Sequence, residues 1–159
     1  MCILGDDKIP DFLVLNDTEK DYALKRLHDK DDHVYINSYR RCIYLVRLKE
    51  GTSHYIIREE LRRTAYNLRK LIRGNNHPGL LIASSSAYRG AIHDFAEGFL
   101  LGIYTFEKYK TRKDKDAKKD YPSKILLYGD TEEKEIRWLT DLTDAVYFTR
   151  DLINEPVNH

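Results

Sequence analysis

The chain has 159 residues, a length that fits one domain and buries about two-thirds of its unfolded surface. Charged residues make up 33% and the hydrophobic set 42%, a balance that excludes a disordered or fibrous chain. Lysine and arginine total 27 against 26 acids, so global charge selects no partner and the basic excess of a nucleic-acid-binding domain is absent.

The opening residues Met1 to Lys8 lack the basic stretch and the ~7–15 apolar residues of a secretory signal, and no apolar run approaches the roughly 20 needed to span a bilayer. A cytoplasmic location without a membrane is expected, with Cys2 and Cys42 as thiols. Two cysteines allow one bridge by arithmetic, but their spacing gives it no support.

Phe12 to Leu15 is a short apolar run that predicts a strand, and Asn16, Asp17 and Thr18 after it are capping residue types. The helix they start carries Tyr22, Ala23, Leu24 and Leu27 and ends in the charges of residues 29–32. His33–Tyr39 and Cys42–Leu48 are rich in β-branched and aromatic residues and predict two strands forming a hairpin. Thr52 or Ser53 caps the next helix, where Ile57, Leu61, Ala65, Leu68 and Ile72 follow the 3.6-residue period. Its other side bears Arg58, Arg62, Arg63, Arg69 and Lys70, and Gly74 stops it.

Gly79–Ser84 is nearly all apolar, which predicts a strand buried on both faces. A helix follows from Ala87 to about Phe106, with Ile92, Phe95, Phe99 and Ile103 along one stripe. Gly90, Gly98 and Gly102 remove side chains along another; each costs roughly 1 kcal/mol against alanine, so a neighbouring backbone is expected to come close. Residues 107–120 are a charged, low-complexity run that reads as a solvated loop. Ser123–Tyr128 predicts a strand, and Thr131 opens a last helix with Ile136, Leu139, Leu142, Val146, Thr149 and Ile153, which Pro156 ends. Alternating strands and helices with one early hairpin imply an α/β domain built on a mixed sheet.

Sites of chemistry are hard to find. Histidines 28, 33, 54, 77, 93 and 159 make no ligand spacing such as His-Glu-x-x-His, and His93 reads as an ordinary helix-surface or boundary residue. The acidic pairs Asp6-Asp7, Asp31-Asp32, Glu59-Glu60 and Glu132-Glu133 are adjacent, so their side chains do not share a face. Ser84-Ser85-Ser86 stands where a phosphate could be held, yet lacks a glycine-rich loop and a Gly-x-Ser-x-Gly elbow, so helix capping is expected. Arg58, Arg62, Arg63 and Arg69 read as a solvated helix face, with a subunit or domain contact as the alternative. No catalytic, metal-binding or cofactor-binding residue is therefore expected.

Two segments carry a resemblance. Ala96-Glu97-Gly98, Leu101-Gly102, Tyr104, Phe106 and Tyr109-Lys110 form one; Arg150-Asp151-Leu152, Asn154, Pro156 and Asn158 form the other. Together they resemble the amino-terminal domain of the leucyl (cytosol) aminopeptidase family, the second marking the passage into the catalytic domain. The resemblance implies a macro-domain-like three-layer sandwich, with helices on both faces of the sheet, over residues 1–153, and a linker to a catalytic domain from 154–159. It also implies a cytosolic parent that removes amino-terminal residues from peptides, works as a homo-hexamer and holds two divalent metals (zinc, manganese or magnesium) downstream. This segment would then be inactive and serve structure or assembly, with the catalytic domain of the same polypeptide as its partner and the peptide substrate bound elsewhere. Two other readings are a stand-alone module for ADP-ribose or another nucleotide, and a nucleic-acid-binding accessory domain. The neutral charge argues against the second.

Overall fold

A computed structural model describes residues 1–5, 8–29, 31, 33–38, 41–48, 53–74, 77–106, 108–109 and 122–155. Residues 156–159 and, apart from Lys108 and Tyr109, the charged run 107–120 lie outside them. The elements are β1 (Cys2–Leu4), α1 (Asp17–His28), β2 (His33–Ser38), β3 (Arg41–Arg47), α2 (His54–Gly74), β4 (Gly79–Ser84), α3 (Ala91–Gly102), β5 (Lys124–Tyr128) and α4 (Glu133–Asn154). They form one sheet in the order β2-β3-β1-β4-β5. Only β2 and β3, the predicted hairpin, pair antiparallel; the other neighbours are parallel.

Alternation along each strand splits the core into two layers. Ile3, Tyr44, Val46, Leu80 and Ile82 face α2, α3 and Leu139 of α4. Cys2, Leu4, Val34, Ile36, Ile43 and Leu45 face Ala23 and Leu27 of α1. Helices thus cover both faces, as expected. Likeness to macro domains in particular stays an expectation of the sequence.

The strand expected at Phe12–Leu15 is absent. Residues 11 and 12 turn, Leu13 N–H bonds to Pro10 C=O at 2.9 Å, and Phe12 and Val14 are exposed. The first strand is instead Cys2–Leu4, three fully buried residues paired with both β3 and β4. A run of three gives no periodicity to read; its position is set by two neighbours distant in sequence.

Nor is β4 buried on both faces. Leu81 is 49% exposed, and Leu126 and Tyr128 of β5 beside it are exposed too, because α1 covers only the β1–β3 half of that side. Phe12 leans over Tyr128 at 5.8 Å between ring centroids. On α4 the expected apolar stripe is only partly used: Leu139 and Thr143 are buried while Ile136 and Ile153 are exposed.

The Asn16 cap is present as a full capping box: Asn16 Oδ1 accepts from Glu19 N–H at 2.8 Å and Glu19 Oε2 accepts from Asn16 N–H at 3.1 Å. Glu19 is nearly buried and also accepts from Ser38 Oγ and from Arg41 at 3.1 Å. Asn16→Ala should cost about 1 kcal/mol in urea unfolding. The Ser38 hydroxyl first, then the Asn16 amide, holds the Glu19 carboxyl below its ordinary value of 4.5. A carboxyl depressed in the folded state contributes stability above its unfolded pKa, about 4.3, and loses it as pH falls through the folded value. Glu19→Gln should therefore lower stability at neutral pH and flatten the acid limb of a stability–pH curve. An acid limb unchanged in slope would show that Glu19 carries no such linkage.

Candidate functional site

Helices α2 and α3 meet where both spacings bring charges onto the contact. Arg58 and Arg62 are four apart on one helix, Asp94 and Glu97 three apart on the other, so each pair lines one face. Asp94, 5% exposed, accepts from Tyr88 Oη at 2.6 Å and from Arg58 Nε at 3.3 Å, with an Arg62 nitrogen 3.6 Å away. Arg62 donates to Glu97 Oε2 at 2.6 Å. Buried carboxylates persist when paired in this way; removing one partner leaves a charge without compensation. Burial and then the adjacent Asp94 carboxylate push the Tyr88 hydroxyl up to about 12, which keeps it a proton donor.

The solvated-face reading of the arginines is thereby corrected for Arg58 and Arg62, which pair within the chain across two helices. Arg69 lies over the Tyr66 ring at 3.4 Å. Arg63 keeps the expected exposed position, bonded to Glu59. Their partners on α3 are 35 and 36 residues away in sequence, beyond the reach of a local pattern.

Beside this cluster, between α3 and the start of α4, lies a cavity of about 530 Å³ lined by Arg58, Tyr88, His93, Glu97, Glu135 and Trp138 among others. His93, partly buried as a boundary residue should be, lines this cavity. Its Nε2 is buried without a hydrogen bond, the nearest acid being Glu135 Oε2 at 3.4 Å. That carboxyl is held below its ordinary range chiefly by the Glu132 backbone N–H, and His93 adds to the effect. Trp138, the chain's single tryptophan, was not singled out by its sequence context.

The serines do not cap α3. Ser84 Oγ donates to Ile3 C=O at 3.3 Å and accepts from Ser86 N–H at 3.1 Å, while Ser86 Oγ accepts from Tyr88 N–H at 3.0 Å. They brace the β4–α3 turn, and the helix starts four residues later than expected, at Ala91. Cys2 and Cys42 are free, on opposite faces of the sheet, and burial pushes the Cys2 thiol up to about 11. Of the other histidines, His77 meets Tyr44 Oη at 3.2 Å, the His54 ring lies 5.1 Å from that of Tyr88, His28 and His33 are exposed, and His159 is outside the described residues.

Among the described residues no group of three or more His, Cys, Asp or Glu could hold a metal ion. Asp94 and Glu97 are the nearest approach, and Arg62 occupies the space between them, so a divalent cation would have to displace a guanidinium. The described residues do not fit the two divalent metals that the resemblance implies for the parent.

The two segments that resemble a family motif, although some fifty residues apart, converge in space. Arg150 donates to Leu101 C=O at 2.7 Å at the carboxyl end of α3 and lies 5.3 Å from the Tyr104 ring. Tyr104 Oη donates to Asp151 at 2.7 Å, Asn154 reaches that hydroxyl at 3.4 Å, and Lys108 pairs with Glu155. The arginine supplies both hydrogen bonds and charge to a helix end whose carbonyls lack intrahelical partners. The motif residues thus have a docking role here, the seating of α4 on α3.

No family model matches the chain. A probable cytosol aminopeptidase of Chelativorans sp. (strain BNC1) is 39% identical over 64 residues, 38% of this chain and 13% of that protein. A second, from Aquifex aeolicus (strain VF5), is 29% identical over 119 residues, 73% of this chain and 23% of that protein. A tomato leucine aminopeptidase mutant shares the fold, with a TM-score of 0.66 at 14% identity, over 99% of this chain and 35% of that one. The chain is similar to the amino-terminal region of the leucyl aminopeptidase family. The manganese complex of the bottromycin maturation enzyme BotP shares its fold as well, with a TM-score of 0.60 at 15% identity over 98% of this chain and 31% of that one. The amino-terminal region spans between 13% and 23% of the length of these two curated relatives.

Proposed function

We propose that residues 1–153 form an accessory, non-catalytic domain of a cytosolic metallo-aminopeptidase, and that residues 154–159 begin the passage to its catalytic domain. The observation that carries this reading is coverage: the whole chain superposes on about a third of a leucine aminopeptidase, 99% against 35%. Two divalent metals, bound outside this segment, would activate a water and polarise the scissile carbonyl of a peptide. The domain contributes assembly and stability, within a hexamer, and contacts the catalytic half of its own polypeptide. Its buried ion cluster suits that role, since Arg58 and Arg62 tie α2 to Asp94 and Glu97 of α3.

The test is direct. The purified 159-residue chain, supplied with manganese or zinc, should release no product from a leucine anilide. Turnover that follows the chain through purification and vanishes with chelator would overturn the proposal.

A further inference from the structure

We propose that the cavity between α3 and α4 binds a free α-amino acid with an apolar side chain. Its volume, about 530 Å³, falls within the ~300–1,000 Å³ of small-molecule sites. Two aromatic side chains line it: Trp138, 56% exposed although it lines a recess, and Tyr88. A large indole left half in water beside a concave surface is apolar area still to be covered.

The polar groups divide by what their partners already use. Both Asp94 oxygens are engaged, by Tyr88 and by Arg58. Glu135 Oε2 accepts from the Glu132 backbone N–H at 2.9 Å. Among the described residues Glu97, 9% exposed, bonds Arg62 through Oε2, which leaves Oε1 as an acceptor in the recess. That is a seat for an ammonium. Next to it the buried His93 Nε2, without a hydrogen bond, is a second group that a ligand would complete.

Two cations line the same cavity. Arg58 is half exposed and uses Nε on Asp94; Lys134 is mostly exposed and pairs with Glu132 at 2.7 Å. Their free donors suit a carboxylate. A simple anion would face Glu97 and Asp94, and a simple cation would face Arg58 and Lys134. A zwitterion satisfies both, with its side chain on Trp138. The inference does not depend on the proposed accessory role.

Trp138 is the sole tryptophan, so its emission reports this cavity alone. The 159-residue chain titrated with L-phenylalanine or L-leucine should show a saturable emission change. N-acetyl-L-phenylalanine, which lacks the ammonium, and L-phenylalanine amide, which lacks the carboxylate and mimics a peptide's amino terminus, should each bind roughly tenfold more weakly or worse. Lys134→Ala, a change at an exposed side chain, should weaken L-phenylalanine and leave the amide unaffected; Glu97→Gln should weaken both, with folding checked by circular dichroism. No saturable change, or equal binding of either blocked analogue, would overturn the proposal.

Discussion

Gly98→Ala should destabilise the domain by about 2 kcal/mol or more, although alanine is the better helix former by roughly 1 kcal/mol. A Cβ at Gly98 would lie 2.5 Å from both Cα and the carbonyl oxygen of Arg62. Those are backbone atoms in the middle of a 21-residue helix, so the clash is relieved only by moving α2 away from α3. Such movement would also separate Arg62 from Glu97, now in hydrogen-bond contact at 2.6 Å. Two other glycines calibrate the result. At Gly102 the nearest atoms are side-chain carbons of Arg69 and Tyr66 at 3.0 Å, which can give way. At Gly74 nothing lies within 4 Å, so alanine there should be neutral or slightly stabilising. Urea unfolding of the three variants should rank Gly98 far worst, then Gly102, then Gly74; equal effects at Gly98 and Gly74 would refute the close helix contact.

Phe99→Ala should cost about 3–5 kcal/mol, a large part of the ~5–15 kcal/mol that holds a domain of this kind together. The Phe99 ring is fully buried in the larger core layer, where α3 packs against both α2 and the sheet. Truncation removes apolar area and leaves a void whose walls belong to three different elements and cannot all close in. Phe148, on α4, is 64% exposed, and its alanine variant should stay within about 0.5 kcal/mol of the parent. Calorimetric midpoints of the two variants check the contrast. A Phe99 variant melting with the parent would mean that α3 is not part of the cooperative core.

In α2, α1 and the first hairpin the reading of the residues survived contact with the fold. Leu61, Ala65, Leu68 and Ile72 of α2 are all buried, Asn16 caps α1, and the β2–β3 hairpin forms where β-branched and aromatic residues cluster. Gly90, Gly98 and Gly102 signalled a close backbone, and Gly98 meets one. Short runs were misleading, because apolar character over three or four residues does not distinguish a strand from a turn. Cys2–Leu4 became the central strand and Phe12–Leu15 a turn, a choice decided by which run finds two neighbours to pair with. The candidate cavity was not legible at all. Its residues come from α2, the β4–α3 turn, α3 and α4, and none of Arg58, His93, Glu97 or Trp138 announces itself by local spacing.

Residue order by itself determined the α/β class, the mixed sheet, the presence of the helices and the family resemblance, since periodicity, capping and a motif are local and need only neighbours in sequence. Tertiary structure alone decided which arginines are paired, which face of β4 stays bare, why the two motif segments belong together and where a cavity lies. These depend on groups dozens of residues apart, and a charge or an indole acquires its meaning only from what packing sets beside it.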